Sequence, residues 1–495
     1  MRLFKLWTAL VLLLGISKVV FSYNAKSPHY SHMNVLDFGR GIKFISDPAR
    51  RAEAYDWFAA HVDLAEGNNS TNITALKSRN STMKIFNYRL DATQCQHTGC
   101  GGSIPNREAK GVPEAYYLHF SEDSRIRYKD LKGNTLSTVS ITGCPLGQPV
   151  ASRCRVQIYL WTDSRWVFNP ADVTFRTWMG NRLLPGPAGV EGIFLDEHGD
   201  GFTNITGFGS SGSQSELLSG GGIYEYNGLR PSHLGALDTA YNSDMSNALT
   251  AYYNLFHLNK KLLTINTATY ALSSGGMKQG LAAHGAHTEL MFRPDYLSGD
   301  GNPSFQAYLT FANDMTGAGG VIDTMGTPGY FGPYGSTGGL YSSGKARYLV
   351  SRLAMYYIIK EPVGSPGIVY FNPTLWINSS DPVHDLDFEQ EWYPAFDKDI
   401  GLPTAAATVI KSGVGLCPQD TAGYKVWGRD FTHAYVVFRP IDRSSCTTFG
   451  DSTAVTVNLP STMQLLKEDG TLGPLTSTVL LHNSEGAIFM KKRGM

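Results

Sequence analysis

Val190-Glu-Gly-Ile-Phe-Leu-Asp-Glu-His-Gly-Asp-Gly201 is the stretch on which the fold is decided. Its apolar run, Gly192-Ile-Phe-Leu195, stops at Asp196 and gives way to acids, a histidine and glycines. A short continuous apolar run reads as a strand buried on both faces, and its abrupt polar end reads as a loop at the strand's carboxyl terminus. In a (β/α)8 barrel the reacting groups sit at such ends, because the strand fixes the backbone while the loop varies around it. Asp196 is therefore the first candidate for a reacting carboxylate. A single Asp at such a place is more often a turn or a helix cap, so its weight depends on other strands ending in the same way.

Working outward, short apolar segments are predicted as strands at 41–46, 62–67, 83–89, 192–195, 261–266, 288–292, 319–323 and 367–372. Helical patterns fall at 49–61, 74–79, 170–179, 232–258, 305–314 and 345–359. Such alternation predicts an α/β fold, a (β/α)8 TIM barrel over residues 23–402. Residues 90–187 are too long for a plain connection and hold four cysteines. They are predicted to be an elaborated insertion after the third strand, folding over one face, with strands at 116–120 and 156–160. The Gly- and Ser-rich stretch 199–222 lacks the Lys-Ser/Thr ending of a phosphate loop and is expected to be an active-site loop or a surface linker. After Pro403 the pattern turns to β segments at 409–414, 424–428, 434–439, 454–459 and 479–481, with turns at Asp469-Gly470 and 483–486. This predicts a small C-terminal antiparallel β-sandwich over 403–495, packed against the barrel or binding sugar.

Lys and Arg total 42 and Asp and Glu total 42, a balance that points away from nucleic acid and anionic membranes. Residues 1–22 have the form of a secretory signal: Arg2 and Lys5, an apolar core over 9–16, then Val20-Phe21-Ser22. The expectation is a secreted or extracellular chain without stable membrane insertion after cleavage. Acceptor patterns for N-glycosylation occur at Asn68, Asn69, Asn72, Asn80, Asn204 and Asn378. The cysteines are Cys95, Cys100, Cys144, Cys154, Cys417 and Cys446. An even number in an exported chain suggests disulfides, and proximity favours Cys95–Cys100, Cys144–Cys154 and Cys417–Cys446. Metal and cofactor are not expected.

The polar strand ends are Glu66, Asn87 with Arg89, Asp196 with Glu197 and His198, Asn266, Glu289 and Asp323. Carboxylates gathered with aromatics, without a nucleotide motif, a nucleophile elbow or a His-Glu-x-x-His, favour glycoside hydrolysis. That reaction needs one acid to protonate the leaving oxygen and a second carboxylate to attack or to activate water. The expected pair is Asp196 and Glu289, with the roles open. Glu289 is flanked by apolar residues, which would raise its pKa and suit an acid. Glu197 and Asp323 are the reserves, and Glu66 a weaker one. Substrate contacts are expected from Glu66, Tyr88, Arg89, Glu197, His198, Asn266, Asp323 and Tyr370. Trp161, Trp166, Trp376 and Trp392 are further candidate stacking rings, although most large aromatics are core residues.

Several stretches resemble a family. Asp47-Pro-Ala-Arg-Arg51 with Trp57 and His61-Val-Asp63, then Gly192-Ile-Phe-Leu-Asp-Glu197, then Asp399-Ile-Gly-Leu-Pro403, Gly428-Arg-Asp-Phe431 and Val455-Thr-Val-Asn-Leu-Pro460 are similar to hypothetical glycosyl hydrolase family fifteen. The resemblance spans most of the chain after residue 22. It implies a catalytic barrel followed by a β domain, with Asp196 at the hallmark strand end. The cysteine-bearing insertion has no part in it. The expectation is a monomeric glycoside hydrolase acting on a polysaccharide or glycan. The alternative is a non-catalytic carbohydrate-binding or cell-surface structural protein on the same scaffold.

Overall fold

The computed structural model describes residues 33, 36–37, 42, 45–65, 70–96, 112–130, 132–144, 152–160, 163–184, 189–196, 202, 206, 208, 214–230, 234–266, 285–287, 305–324, 340–373, 392–414, 423–440, 454–482 and 485–492. The first strand, β1 (Leu36–Asp37), lies before the predicted one and pairs in parallel with β2 (Leu64–Ala65). Of the predicted strand 41–46, the described Ile42 and Ile45 are buried, with the Ile45 amide donating to the Ile42 carbonyl. Apolar residues three apart suit a helical turn rather than the alternation of a strand. α1 (Pro48–His61) starts where expected: the Asp47 carboxylate accepts from the Ala49 amide, Pro48 takes the first turn, and Ala54, Tyr55, Phe58 and Ala59 are buried.

α2 (Ser70–Arg79) docks on α1, and β3 (Lys84–Leu90) follows. The Tyr55 hydroxyl donates to Asn72 Oδ1 at 2.6 Å. Asn72 is fully buried, so the folded chain has no room for a glycan there. Asn80 ends α2: its Oδ1 accepts from the Thr82 and Met83 amides and its Nδ2 donates to the Ala59 carbonyl. Asn68, Asn69, Asn204 and Asn378 lie outside the described residues.

The insertion contributes β4 (Thr93–Cys95), β5 (Ser124–Lys129), β6 (Thr135–Ile141), β7 (Gln157–Leu160) and β8 (Asp163–Val167). α3 (Val173–Leu183) leads back to β9 (Gly192–Asp196), and β10 (Ser215–Ser219) then returns to pair antiparallel with β5. The stretch 199–222 is thus not all loop. Two three-stranded sheets result, β4-β8-β7 and β10-β5-β6. The predicted strand at 116–120 is a 3-10 turn at Glu114–Tyr116 followed by isolated bridges at Tyr117, His119 and Phe120. Cys144 and Cys154 are disulfide-bonded, the pairing expected from proximity. Cys95 is disulfide-bonded as well; Cys100, Cys417 and Cys446 lie outside the described residues.

The remaining units are α4 (Leu234–Leu258), β11 (Leu262–Asn266), β12 (Gly285–His287), α5 (Phe305–Gly317), β13 (Val321–Asp323), α6 (Gly344–Ile359) and β14 (Ile368–Tyr370). β1, β2, β3, β9, β11, β12, β13 and β14 form one eight-stranded parallel sheet in strict chain order. The sixth strand comes earlier than predicted. Ala286 and His287 take the places in register between Ile265-Asn266 and Ile322-Asp323; the predicted stretch 288–292 lies outside the described residues. On one face of this sheet Leu64, Phe86, Phe194, Leu262, Val321, Ile368 and Tyr370 form one apolar cluster that joins the second strand to the eighth. Gly192 is required there, since a Cβ would stand 2.7 Å from both the Leu262 carbonyl oxygen and the Phe86 ring. On the other face Ile193, Leu195, Leu263 and Ile265 pack with Phe175, Met179, Leu249 and Tyr252 of the helices. Burial on both faces explains the unbroken apolar runs.

The C-terminal region is β15 (Thr408–Gly413), β16 (Tyr424–Asp430), β17 (Ala434–Arg439), β18 (Val455–Leu466), β19 (Leu472–Leu481) and β20 (Glu485–Met490). It is not two separate sheets but one antiparallel sheet, ordered β15-β16-β17-β20-β18-β19, that folds over itself. β18 makes the fold. Its register with β19 breaks between Asn458 and Met463, around Pro460, which has no amide for the ladder. Its later half pairs with β20, while Val455, Val457 and Leu459 of its earlier half pack on Val426, Tyr435 and Val437. Lys411 on β15 reaches across to the Thr456 carbonyl at 2.6 Å.

The opposite face of this sheet clamps α6. Trp427, Val436, Phe438 and Ile488 pack with Leu353, Ala354 and Tyr357. A Cβ on Gly486 would lie 2.6 Å from that of Ala354. The buried Arg429 guanidinium donates to the carbonyls of Tyr357 and Ile358, each at 3.1 Å, and of Lys360, and so satisfies the open end of α6. Burial lowers the guanidinium's pKa and the Glu361 carboxylate opposes that shift. Among the described residues no helix is long and apolar enough to cross a membrane.

Candidate active site

The carboxyl ends of the parallel strands set up a single row. Leu90 pairs with Asp196, and Leu195 with Ile265, which brings Asn266 level with Asp196. Asn266 pairs with His287, His287 with Asp323, and Asp323 with Tyr370. The backbone positions of Asp196, Asn266, His287, Asp323 and Tyr370 therefore stand side by side on five adjacent strands. Four of the five were singled out from the sequence. His287 was not, because the strand predicted at 288–292 starts three residues after Gly285. Its signal was its place directly before Thr288-Glu289, where a shift of the strand makes it the last strand residue.

Other candidates fare differently. Tyr370 is fully buried in the apolar cluster beneath the row, so its ring forms the floor and offers no open face to a substrate. Tyr88 is half-buried, its ring 5.8 Å from that of Phe194. Arg89 pairs in register with Leu195, whose side chain packs among the helices. Register partners share a face, so Arg89 stands on the helix side of the sheet, away from the row. Its Nη1 donates to the Tyr88 carbonyl at 2.9 Å. Glu66, Glu197, His198, Glu289, Trp161 and Trp376 lie outside the described residues. Trp392 packs edge-on against Trp57 and His61, with its Nε1 donating to Asp397 at 3.1 Å; it belongs to the packing on α1 and not to the strand ends.

The motifs that carry the family resemblance also have structural duties. Asp47 caps α1, Arg51 donates to the Ile45 carbonyl, Arg429 closes α6, and Val455 to Pro460 leads into the bend of β18.

The insertion also holds a polar cluster that the sequence did not disclose. His119, 1% exposed, sits between two carboxylates: Nδ1 is 2.6 Å from Glu225 Oε1 and Nε2 is 3.0 Å from Glu114 Oε1. Glu225 also accepts from the His119 amide at 2.9 Å. Arg155 makes a two-point pair with Glu114 and lies over the rings of Tyr117 at 4.0 Å and Trp166 at 4.6 Å. The hydrogen bond from Arg155 holds the Glu114 carboxyl below the usual carboxylate range; burial opposes this and His119 adds to it. Glu225 lies 106 residues from His119, a separation at which sequence pattern carries no signal. Among the described residues no group of three or more His, Cys, Asp and Glu is placed to hold a metal ion.

No family model matches the chain and no curated protein matches it, so the resemblance to hypothetical glycosyl hydrolase family fifteen gains no support from that side. Similar solved structures include an alpha-amylase from Malbranchea cinnamomea, at 10% identity and a TM-score of 0.42 over 92% of this chain and 96% of that one. A xylosidase from Aspergillus niger is 9% identical, with a TM-score of 0.40 over 93% of this chain and 64% of that one. Aspergillus fumigatus Ega3, in complex with galactosamine, is 10% identical, with a TM-score of 0.31 over 71% of this chain and 95% of that one. Identities and scores this low leave the assignment of a function to the chain's own residues.

Proposed function

We propose that this chain is a secreted, monomeric glycoside hydrolase that acts on a polysaccharide or glycan. Its eight parallel strands would close into a (β/α)8 barrel. The observation that carries this reading is the row Asp196, Asn266, His287, Asp323 at the carboxyl ends of four adjacent strands. Beneath it lies one apolar cluster reaching from β2 to β14, as the filled interior of a barrel requires. Strand alternation puts these four positions on the face of Phe194 and Leu262, toward that cluster.

Asp196 serves as one carboxylate and Glu289, two residues beyond β12, as the other. One protonates the glycosidic oxygen while the other attacks the anomeric carbon or activates water. A separation of about 5–5.5 Å corresponds to retention and about 6.5–9.5 Å to inversion. Asp323 and Glu197 stand in reserve for the second role. Asn266, His287, His198 and Glu66 would hold sugar hydroxyls. Export is supported by the form of residues 1–22 and by the disulfide Cys144–Cys154.

The test is reducing-end release from a panel of polysaccharides by the wild type beside folded Asp196→Asn and Glu289→Gln. Release by the wild type and a loss of about 10²-fold or more in each variant is expected. Full activity in Asp196→Asn removes its role. Retention of a polysaccharide on an affinity column without release by any form replaces the enzyme with a carbohydrate-binding protein.

A further inference from the structure

The insertion carries a cluster of hydrogen-bond donors without an acceptor among the described residues. Gln94 and Trp166 are register partners on β4 and β8, and the Gln96 amide donates to the Ser164 carbonyl at 2.8 Å, so the ladder runs on to Gln96. Alternate residues share a face, which puts the side chains of Gln94, Gln96 and Trp166 together. Gln94 is 1% exposed, and its Oε1 is taken by the Tyr117 hydroxyl. Its Nε2, the Nε2 of Gln96 and the Nε1 of Trp166 are all buried and find no acceptor among the described residues. Each buried donor left without an acceptor costs about 1–3 kcal/mol. Three on one patch mark a place where an acceptor arrives from outside.

We propose that Gln94, Gln96 and Trp166 form a subsite for an acyl carbonyl on a glycan, an inference that rests on the glycan-processing reading of the strand ends. Three features fix the chemistry and the place. The unused groups are all donors, so the ligand group offers acceptors. The cation on this face among the described residues, Arg155 over the Trp166 ring, has its charge met by Glu114, so none of their positive charge is left over for a carboxylate and a neutral carbonyl matches best. Only Asp91 and Ala92 separate β4 from Leu90, the register partner of Asp196, so along the chain the patch is two residues from a strand of the row. Trp166, partly exposed, marks the side from which a ligand reaches it. The acyl group on a sugar is an amide or an ester.

The experiment compares retention of the full chain by N-acetylated chitin oligosaccharides with their de-N-acetylated forms, and by O-acetylated xylan with its deacetylated form. The wild type should hold one acylated member about tenfold more tightly, the loss of one well-placed hydrogen bond being worth about that factor; the pair that shows it tells amide from ester. Trp166→Phe, which keeps a ring and removes the N–H, and Gln94→Leu should bring the ratio close to one, with circular dichroism reporting that both fold; Gln96→Leu replaces either that does not. Equal retention of acylated and deacylated chains by the wild type, or a preference that survives the variants, overturns the subsite alone. No retention and no release with any glycan overturns the glycan reading itself.

Discussion

The eight-stranded parallel sheet and the six-stranded antiparallel sheet of this chain differ first in strand length. Over the described residues, parallel strands run from two residues in β1 to seven in β3, whereas the C-terminal strands run from six in β15 to twelve in β18. Short parallel strands make few ladder bonds and depend on the helices packed around them; their ends are left free to present polar positions. Among the described residues the C-terminal sheet presents no such row. β17 is buried at every residue, on one face against the folded-over half of the sheet and on the other against α6. On the proposed reading, chemistry and cohesion fall to different sheets, and substitutions can tell the two apart.

The largest stability effect is expected from Gly486→Val. Its side chain would meet Ala354 at 2.6 Å and Phe438 at 3.0 Å, and overpacking of backbone against helix should cost about 3 kcal/mol in urea unfolding. A loss under about 1 kcal/mol would break the comparison, since α6 would then not depend on this seam. Arg429→Met leaves the carbonyls of Tyr357, Ile358 and Lys360 without their buried donor and should cost about 2 kcal/mol by the same measurement. Gly192→Ala strikes the parallel sheet, with a Cβ 2.7 Å from the Leu262 carbonyl oxygen; about 1–2 kcal/mol is expected. Because β9 carries Asp196 at its end, this variant should lose more activity on the preferred polysaccharide than Arg429→Met does, and the reverse order would overturn the division of labour.

The smallest effect belongs to the polar cluster around Glu114. The Glu114 carboxyl is held below its ordinary value by Arg155, so as pH falls the unfolded chain takes up the proton first. The stabilisation is complete above the ordinary carboxylate value of about 4 and is lost as pH drops through the folded value. Glu114→Gln should lower the melting temperature near neutral pH and flatten its fall in acid. An acid limb that overlays the wild type would mean that the pair adds nothing.

The order of elements was legible because buried parallel strands leave unbroken apolar runs and α1 announces itself through Asp47-Pro48. Asp196 was legible for the same reason, an apolar run abutting an acid. What failed was what depends on partners distant in sequence. β10 is a strand only because β5 accepts it, and β12 takes Ala286 and His287 because its neighbours fix the register. The folding-over of the C-terminal sheet had one local cue, Pro460 within a strand. Arg89 was misplaced although alternation from Tyr88 was available to put it on the helix side. The donors of Gln94, Gln96 and Trp166 had no signature at all, since an unused N–H is defined by what is missing around it.

The hydrogen bond from Tyr55 to Asn72 makes sugar attachment and the docking of α2 mutually exclusive events. In a host that glycosylates, the acceptor Asn72-Ile-Thr74 is open only while the chain is being made, before α2 lies on α1. Occupancy at this one asparagine in the purified protein is then a clock: it reports how often the modifying enzyme arrived ahead of the helix.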